Sequence, residues 1–302
     1  MAGRLDFLVV GAQKCATSWL YYCLREHPEL QLPAKKREVE YLGGDLYEAR
    51  GADWYFGLLG QPSEAKKLGD VSVEYIYDPR APGAVREHAP NVKFILSMRD
   101  PIDRVISAYH WVLRKGVIPD LPLEEGINRA MNADSAEGDP GVKMQYRDII
   151  HRGYYDVQME RYLGHFDLDR FLFVLYEDIS EKPMAVLRRI YEFIGVNPDF
   201  EPPSLNERPK HNTYLRPLIS LERIIPRSRA LGKVMDIANK WSHRLGIESR
   251  KPDLSGATTD GLRALYRPHV EQTQRILERV SRERRPLTPD LRKAWSRTWG
   301  RV

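Results

Sequence analysis

Three clusters of residues in this 302-residue sequence have the types and spacing to do chemistry on an anion. The first is Gly11-Ala-Gln-Lys14-Cys15-Ala16-Thr17-Ser18-Trp19, which follows the apolar run Leu5 to Val10 and precedes a helical pattern ending at His27-Pro28. Amides at a helix N-terminus point outward unpaired and carry partial positive charge. Lys14 adds a full charge, and the Thr17 and Ser18 hydroxyls add donors. The spacing is not that of GxxxxGK[ST], because no Gly-Lys pair precedes the threonine. The plain alternative is a strand-to-helix turn with a surface lysine. The second cluster is Arg99 at the end of the strand pattern Lys93 to Met98, with Ser107 two helical turns further on. A guanidinium fork and a hydroxyl there suit one phosphate group. The alternative is an Arg99 paired with Asp100 or Asp103 and a neutral Ser107. The third is Glu38, inside the basic run Lys35-Lys36-Arg37, where neighbouring positive charge keeps a carboxylate ionised. Read plainly, such a run is a solvated charged turn.

These clusters need a frame that brings strand ends together. Strand patterns at Leu5–Val10, Leu68–Ile76, Lys93–Met98 and Arg170–Tyr176 alternate with helical patterns near 17–26, 101–113, 144–166 (interrupted near Gly153) and 182–194. Asp100-Pro101 reads as an N-cap followed by proline at the first helical position. The alternation predicts an α/β fold: a mostly parallel central sheet flanked by helices. Asp134–Gly141 reads as a polar surface loop. Helical patterns near 230–246, 260–282 and 288–298 form a C-terminal extension. One domain over 1–302 is expected, with a core of about 5–212 and the extension over about 213–302.

Apolar residues make up 42% of the chain and charged residues 29%, with a formal charge of +5. That composition is ordinary for a globular protein, and its mild positive excess favours anionic ligands. No pattern of nucleic-acid binding, no metal-ligand spacing and no run long enough for a transmembrane helix is present. Eight residues of helix separate Cys15 from Cys23 by about 12 Å, too far for a disulfide. Two free thiols suit a reducing compartment, so a cytoplasmic location is expected.

Lys14-Cys-Ala-Thr17-Ser18-Trp19-Leu20 resembles the K-x-x-T-[ST]-W-L signature of sulfotransferases that use PAPS (3′-phosphoadenosine-5′-phosphosulfate). Arg99-Asp-Pro-x-x-Arg104-x-x-Ser107-x-Tyr resembles the same family's 3′-phosphate motif. Lys36-Arg37-Glu38-Val-Glu40-Tyr41 resembles a stretch of its heparan-sulfate-type and bacterial members. The resemblance implies the P-loop-NTPase-like sulfotransferase fold, PAPS as donor, PAP as product and no metal. It assigns the 5′-phosphosulfate to Lys14, Cys15, Ala16, Thr17, Ser18 and Trp19, and the 3′-phosphate to Arg99 and Ser107. It makes Lys14 and Glu38 catalytic, with Glu40 the weaker candidate base; if neither glutamate serves, a histidine such as His110 or His151 is the next place to look. Arg104 is expected to be structural. Arg208 and Lys210 fall where the family has a basic loop over the donor's 3′ end. Val71 stands where many relatives have a lysine, so either Lys35 or Lys36 substitutes or the acceptor geometry differs. Arg152-Gly-Tyr-Tyr155, Tyr176-Glu-Asp178 and Tyr266-Arg-Pro268 also look like stretches of bacterial members. The implied acceptor is a hydroxyl or amine of a saccharide, natural product or other small molecule. A nucleotide kinase or NTPase and a non-catalytic polyanion-binding protein are the rival readings. The first requires a magnesium carboxylate, for which Asp100 is the tempting residue.

Overall fold

The computed structural model describes residues 5–36, 39–60, 63, 65–134, 138–207, 253–280 and 288–300. Five strands form one sheet: β1 (Phe7–Gly11), β2 (Leu30–Gln31), β3 (Lys67–Val71), β4 (Lys93–Met98) and β5 (Phe171–Leu175). Their spatial order is β2-β3-β1-β4-β5, and every pairing is parallel. From β1 the chain goes to the edge strand β2, returns inward to place β3 beside β1, then crosses to place β4 on the other side. The carboxyl ends of β1 and β4 therefore flank a topological switch point, where open α/β sheets bind ligands.

The strands are apolar throughout because both faces are covered. Leu8, Val10, Phe94, Leu96 and Phe173 point to one side, packing with Tyr55, Tyr75, Tyr162 and Trp295. Phe7, Val9, Ile95, Leu172 and Val174 point to the other. There they meet Trp19, Leu20 and Leu24 of α1 (Thr17–Glu26) and Leu187, Ile190 and Ile194 of a late helix, Pro183–Ile194. At Gly69 of β3 a Cβ would sit 2.1 Å from the Phe7 ring, so the glycine lets that ring lie across its neighbour strand.

Between β2 and β5 run α2 (Asp45–Leu59), α3 (Glu74–Tyr77), α4 (Ala81–His88), α5 (Pro101–Lys115), α6 (Leu123–Met131), α7 (Pro140–His151) and α8 (Tyr155–Leu163). After β5 come α9 (Tyr176–Glu181), α10 (Pro183–Ile194), α11 (Gly256–Leu277) and two short helices, Leu291–Ala294 and Ser296–Trp299. A third apolar cluster joins α5, α6, α7 and α11 through Ile102, Tyr109, Ile127, Ile149, Leu262 and Tyr266.

The interruption expected near Gly153 is present: the run 144–166 divides into α7 and α8 at Arg152-Gly153-Tyr154. Three expectations need adjusting. The strand expected over Leu68–Ile76 ends at Val71, because Ser72 Oγ accepts the Glu74 N–H and turns the chain into α3. The helix expected over 260–282 spans Gly256–Leu277, started by Ser255, whose side chain accepts the Thr258 N–H. The pattern near 288–298 is the pair of short helices. The helix expected at 230–246 lies outside the described residues.

Candidate active site

The loop after β1 is shaped by backbone conformation. Lys14 and Ala16 both lie in the left-handed region, with φ of 70° and 66°. Left-handed backbone costs a non-glycine residue about 1–2 kcal/mol, and such strain persists only where surrounding contacts fix it. Here the contacts come from β4: the Ala12 N–H donates to the Ser97 carbonyl at 2.7 Å, and Ser97 Oγ donates to the Cys15 carbonyl at 2.5 Å. Left-handed residues interleaved in a turn aim successive N–H groups into one concavity, a form of anion nest. Thr17 then opens α1, which adds its unpaired amides. A Cβ on Gly11 would meet Ile76 Cγ2 at 2.6 Å, so only glycine lets the loop leave the strand at this angle.

Lys14 is half-buried in a cationic neighbourhood. Burial, followed by the guanidinium groups of Arg114 and Arg99, pulls its ammonium down to about 8. Its Nζ stands 5.8 Å from the centre of the Trp111 ring, over which Lys115 also lies at 3.6 Å. A second lysine reaches the loop: Lys36 Nζ donates to Ser18 Oγ at 3.1 Å. The segment carrying Lys36 is pinned to α1, with Tyr21 donating to the Pro33 carbonyl at 2.8 Å and Arg25 to the Ala34 carbonyl at 2.7 Å. Downstream, Tyr41 donates to Asp78 Oδ2 at 2.7 Å. Arg37 and Glu38 lie outside the described residues, as do Arg208 and Lys210. Lys35 is exposed.

Val71 is fully buried in the apolar cluster with Val9, Trp19 and Leu20, so this position supplies no cation. Of the two lysines expected to substitute, Lys36 is the one bonded to the loop. The side chains of Cys15 and Trp19 are committed away from the nest. Cys15 Sγ is buried 3.7 Å from the Tyr155 hydroxyl, and burial raises its thiol to about 11. The Trp19 indole is buried in the core and donates to the Leu205 carbonyl at 3.2 Å. With Ser204, whose N–H and hydroxyl both reach Glu26, it fastens the stretch before 208 onto α1.

Arg99 follows β4 and lies beside the loop. Its guanidinium stacks over the Tyr176 ring at 4.2 Å, and its buried Nε has no hydrogen-bond partner among the described residues. Its peptide is held by one phenol: Tyr155 Oη donates to the Arg99 carbonyl at 2.9 Å and accepts the Arg99 N–H at 3.3 Å. The next N–H, of Asp100, donates to Glu177 Oε1 at 3.1 Å. Burial raises the Glu177 carboxyl above its ordinary range. Ser107 is half-buried, two turns along α5.

Asp100 caps α5 and is 3% exposed. It accepts from Ile102 N–H, Thr298 N–H, Thr298 Oγ1 and Arg297 N–H, all within 3.1 Å. Neither oxygen is left for a metal ion, and no cluster of three ligand-type side chains occurs among the described residues. Arg104, fully buried, donates to the Ile149 carbonyl beneath α5, a structural place. Arg152 forms a two-pronged pair with Glu74 at 3.0 and 2.8 Å, a contact with no local signal in sequence. His151 sits at 3.9 Å from Asp134, with its ring 5.1 Å from that of Tyr154, and burial lowers its pKa. A cavity of about 200 Å³ lies elsewhere, lined by Pro119, Arg129, Val142 and Tyr146; none of the candidate residues lines it.

A parallel α/β sheet with a nest after one strand and an arginine after the next, on either side of its switch point, defines a protein built to hold a phosphate-bearing ligand. The sulfotransferase-domain family model matches residues 4–214, and the chain belongs to that family. It is 28% identical over 200 residues to bifunctional heparan sulfate N-deacetylase/N-sulfotransferase 4 of Mus musculus, covering 64% of this chain and 22% of that protein. It is also 28% identical over 190 residues to heparan sulfate glucosamine 3-O-sulfotransferase 3A1 of Mus musculus, covering 63% of this chain and 45% of that protein. The chain thus spans less than half the length of these relatives. The crystal structure of a sulfotransferase from Alicyclobacillus acidocaldarius has the same fold, with a TM-score of 0.62 and 22% identity over 92% of this chain and 97% of that one. No described helix is long and apolar enough to cross a membrane.

Proposed function

We propose that this chain transfers a sulfuryl group from PAPS to a hydroxyl or amine of an acceptor, releasing PAP. The observation that carries the reading is the pairing of a cationic nest at residues 14–18 with Arg99 across the β1–β4 switch point. In this reading the nest amides and the Thr17 and Ser18 hydroxyls hold the 5′-phosphate, while Arg99 and Ser107 hold the 3′-phosphate. The two grips position the donor for in-line attack. The bond from sulfur to the bridging oxygen breaks as the bond from acceptor oxygen or nitrogen to sulfur forms. Lys14 stabilises the negative charge arriving on the bridging oxygen. Lys36, bonded to Ser18, adds a second positive charge to the loop. Glu38, two residues further on, takes the acceptor proton, and Arg208 and Lys210 supply charge for the donor's 3′ end. The relatives named for heparan sulfate support a saccharide acceptor.

The NTPase reading loses its metal carboxylate, because four protein donors occupy Asp100. Incubation of the protein with ³⁵S-labelled PAPS and a panel of saccharide, phenolic and aliphatic acceptors tests the proposal. Label should move to at least one acceptor, and PAP should bind more tightly than ATP. Tighter binding of ATP, with phosphate release and no labelled acceptor, would sink it. Within that assay Glu38→Gln should lower turnover by about 10²–10⁴-fold, the usual cost of losing a general base. PAP binding should hold. Collapse on Glu40→Gln instead would move the base by two positions.

A further inference from the structure

The stretch that locks Asp100 comes from the far end of the chain, beyond the region matched by the family model. We propose that Thr298 is a positioning residue for the 3′-phosphate grip, acting through Asp100 to keep Arg99 free for the ligand. This rests on the donor reading above.

Asp100 is a buried carboxylate directly after Arg99 in sequence. Three of the four donors that satisfy it belong to residues 297 and 298: Thr298 Oγ1 at 2.7 Å, Thr298 N–H at 3.0 Å and Arg297 N–H at 3.1 Å. The fourth is its own helix cap, Ile102 N–H. A buried carboxylate deprived of donors pays its desolvation cost in full and takes whatever donor is within reach. The nearest cation along the backbone is Arg99. Its Nε has no hydrogen-bond partner among the described residues, and its guanidinium stacks on Tyr176. Satisfying Asp100 from the C-terminal side therefore keeps the two neighbours from neutralising one another.

The same end of the chain braces Arg99 from a second direction. Trp295, fully buried, packs 5.7 Å from the ring of Tyr155, the residue whose hydroxyl both donates to and accepts from the Arg99 peptide. The Arg297 guanidinium bonds Asp103 at 2.9 Å and also Asp253, tying the first turn of α5 to the entrance of α11. Strand end, helix start and phenol are thus fixed against one docked segment.

The test compares PAP with adenosine 5′-monophosphate, which differs only by lacking the 3′-phosphate. The ligands are titrated calorimetrically into the full chain and into Thr298→Val, Thr298→Ser and Arg297→Ala. Thr298→Val keeps the shape and the N–H but removes the Oγ1 donor. It should weaken PAP by about 5- to 20-fold, less than loss of a direct charged hydrogen bond to the ligand because the effect is relayed through Asp100. Adenosine 5′-monophosphate should stay within about twofold. Thr298→Ser should return PAP binding to within about twofold of the parent chain. Arg297→Ala, which keeps its backbone N–H, should give a smaller loss of the same selectivity, and it carries the test if Thr298→Val does not fold. Equal losses for both ligands, tracking a lower melting temperature, would reduce the contact to plain stability. Unchanged PAP binding in both variants would also overturn the proposal. If the parent chain itself shows no preference for PAP over adenosine 5′-monophosphate, the donor reading falls and takes this inference with it. If the preference is present and merely survives the substitutions, only this inference falls.

Discussion

The loop after β1 and the turn after β4 sit side by side at the switch point, yet they are held in opposite ways. The loop is made by eight consecutive residues, Gly11 to Ser18, whose own backbone conformation creates the nest. Its backbone is fixed across the sheet by Ser97 on the adjacent strand, which accepts from Ala12 and donates to Cys15. The turn at Arg99 is assembled from Tyr155 on α8, Tyr176 and Glu177 on α9, and Arg297 and Thr298 near the chain's end. One half of the site is a local structure, and the other is a convergence of distant segments. A local structure tolerates change elsewhere and fails when its own residues change. A convergent one transmits distant changes, because each contributing segment must first be docked.

The sharpest break in that comparison is Lys14→Ala. Removing a charge aimed at a developing oxyanion typically costs about 10²–10³ in rate. Single-turnover transfer from saturating PAPS should fall by that order, while PAP affinity changes much less. A lost affinity with an unchanged rate would reduce Lys14 to a binding residue. Arg99→Ala comes next. Loss of a charged hydrogen bond should weaken PAP by about ten- to a hundredfold and leave adenosine 5′-monophosphate nearly unaffected. An equal loss for both would mark Arg99 as a fold support.

Tyr155→Phe probes the convergent half indirectly. It strips the buried Arg99 carbonyl and N–H of their partner, which costs about 1–3 kcal/mol of stability. For a chain of this size that lowers the melting temperature by about 2–5 °C in a thermal scan. PAP affinity should fall with it by several-fold. A stable variant with normal PAP binding would show that the peptide at Arg99 needs no such clamp.

The smallest effect is a pH dependence that belongs to the local half. Lys14, lowered to about 8, is mostly charged at pH 7 and mostly neutral at pH 8.5. PAP prefers the charged form, so its apparent affinity should weaken over that interval, by at most about fourfold as the charged fraction falls. Calorimetry near pH 8 in two buffers of different ionisation enthalpy should detect proton uptake on binding, absent in Lys14→Met. The ligand-free chain behaves oppositely. Its folded Lys14 releases a proton before the unfolded lysine does, so this group adds stability as pH rises from about 8 towards 10.5. Affinity that is flat across this range would place Lys14 away from the phosphate.

Legibility in sequence follows the same division. The nest was readable because glycine, lysine and hydroxyls are contiguous, and β1, β4 and β5 because both of their faces are apolar. β2 is only two residues long, and no periodicity marks it. α2 contains Gly51 and Gly57 and buries only Tyr55 and Leu59, so its sequence resembles a loop. The contacts of Thr298 with Asp100 span 198 positions, and neither residue carries a sign of the other. Val71 read as a missing cation, whereas the strand's alternation turns it into the core. Glu38, Arg208 and Lys210 rest on resemblance alone, lying outside the described residues.

The two cysteines have a practical consequence. Cys15 is sealed behind the nest and Cys23 lies on the buried face of α1, with burial raising their thiols to about 11 and about 12. Alkylating and spin-labelling reagents attack the thiolate, so at neutral pH both sites are nearly inert in the folded state. The chain has no others. A cysteine introduced on an exposed position, such as Val39 beside the basic run or Val117 after α5, would be the single reactive handle. A fluorophore or nitroxide placed there could report on the rim of the site in the otherwise unaltered protein.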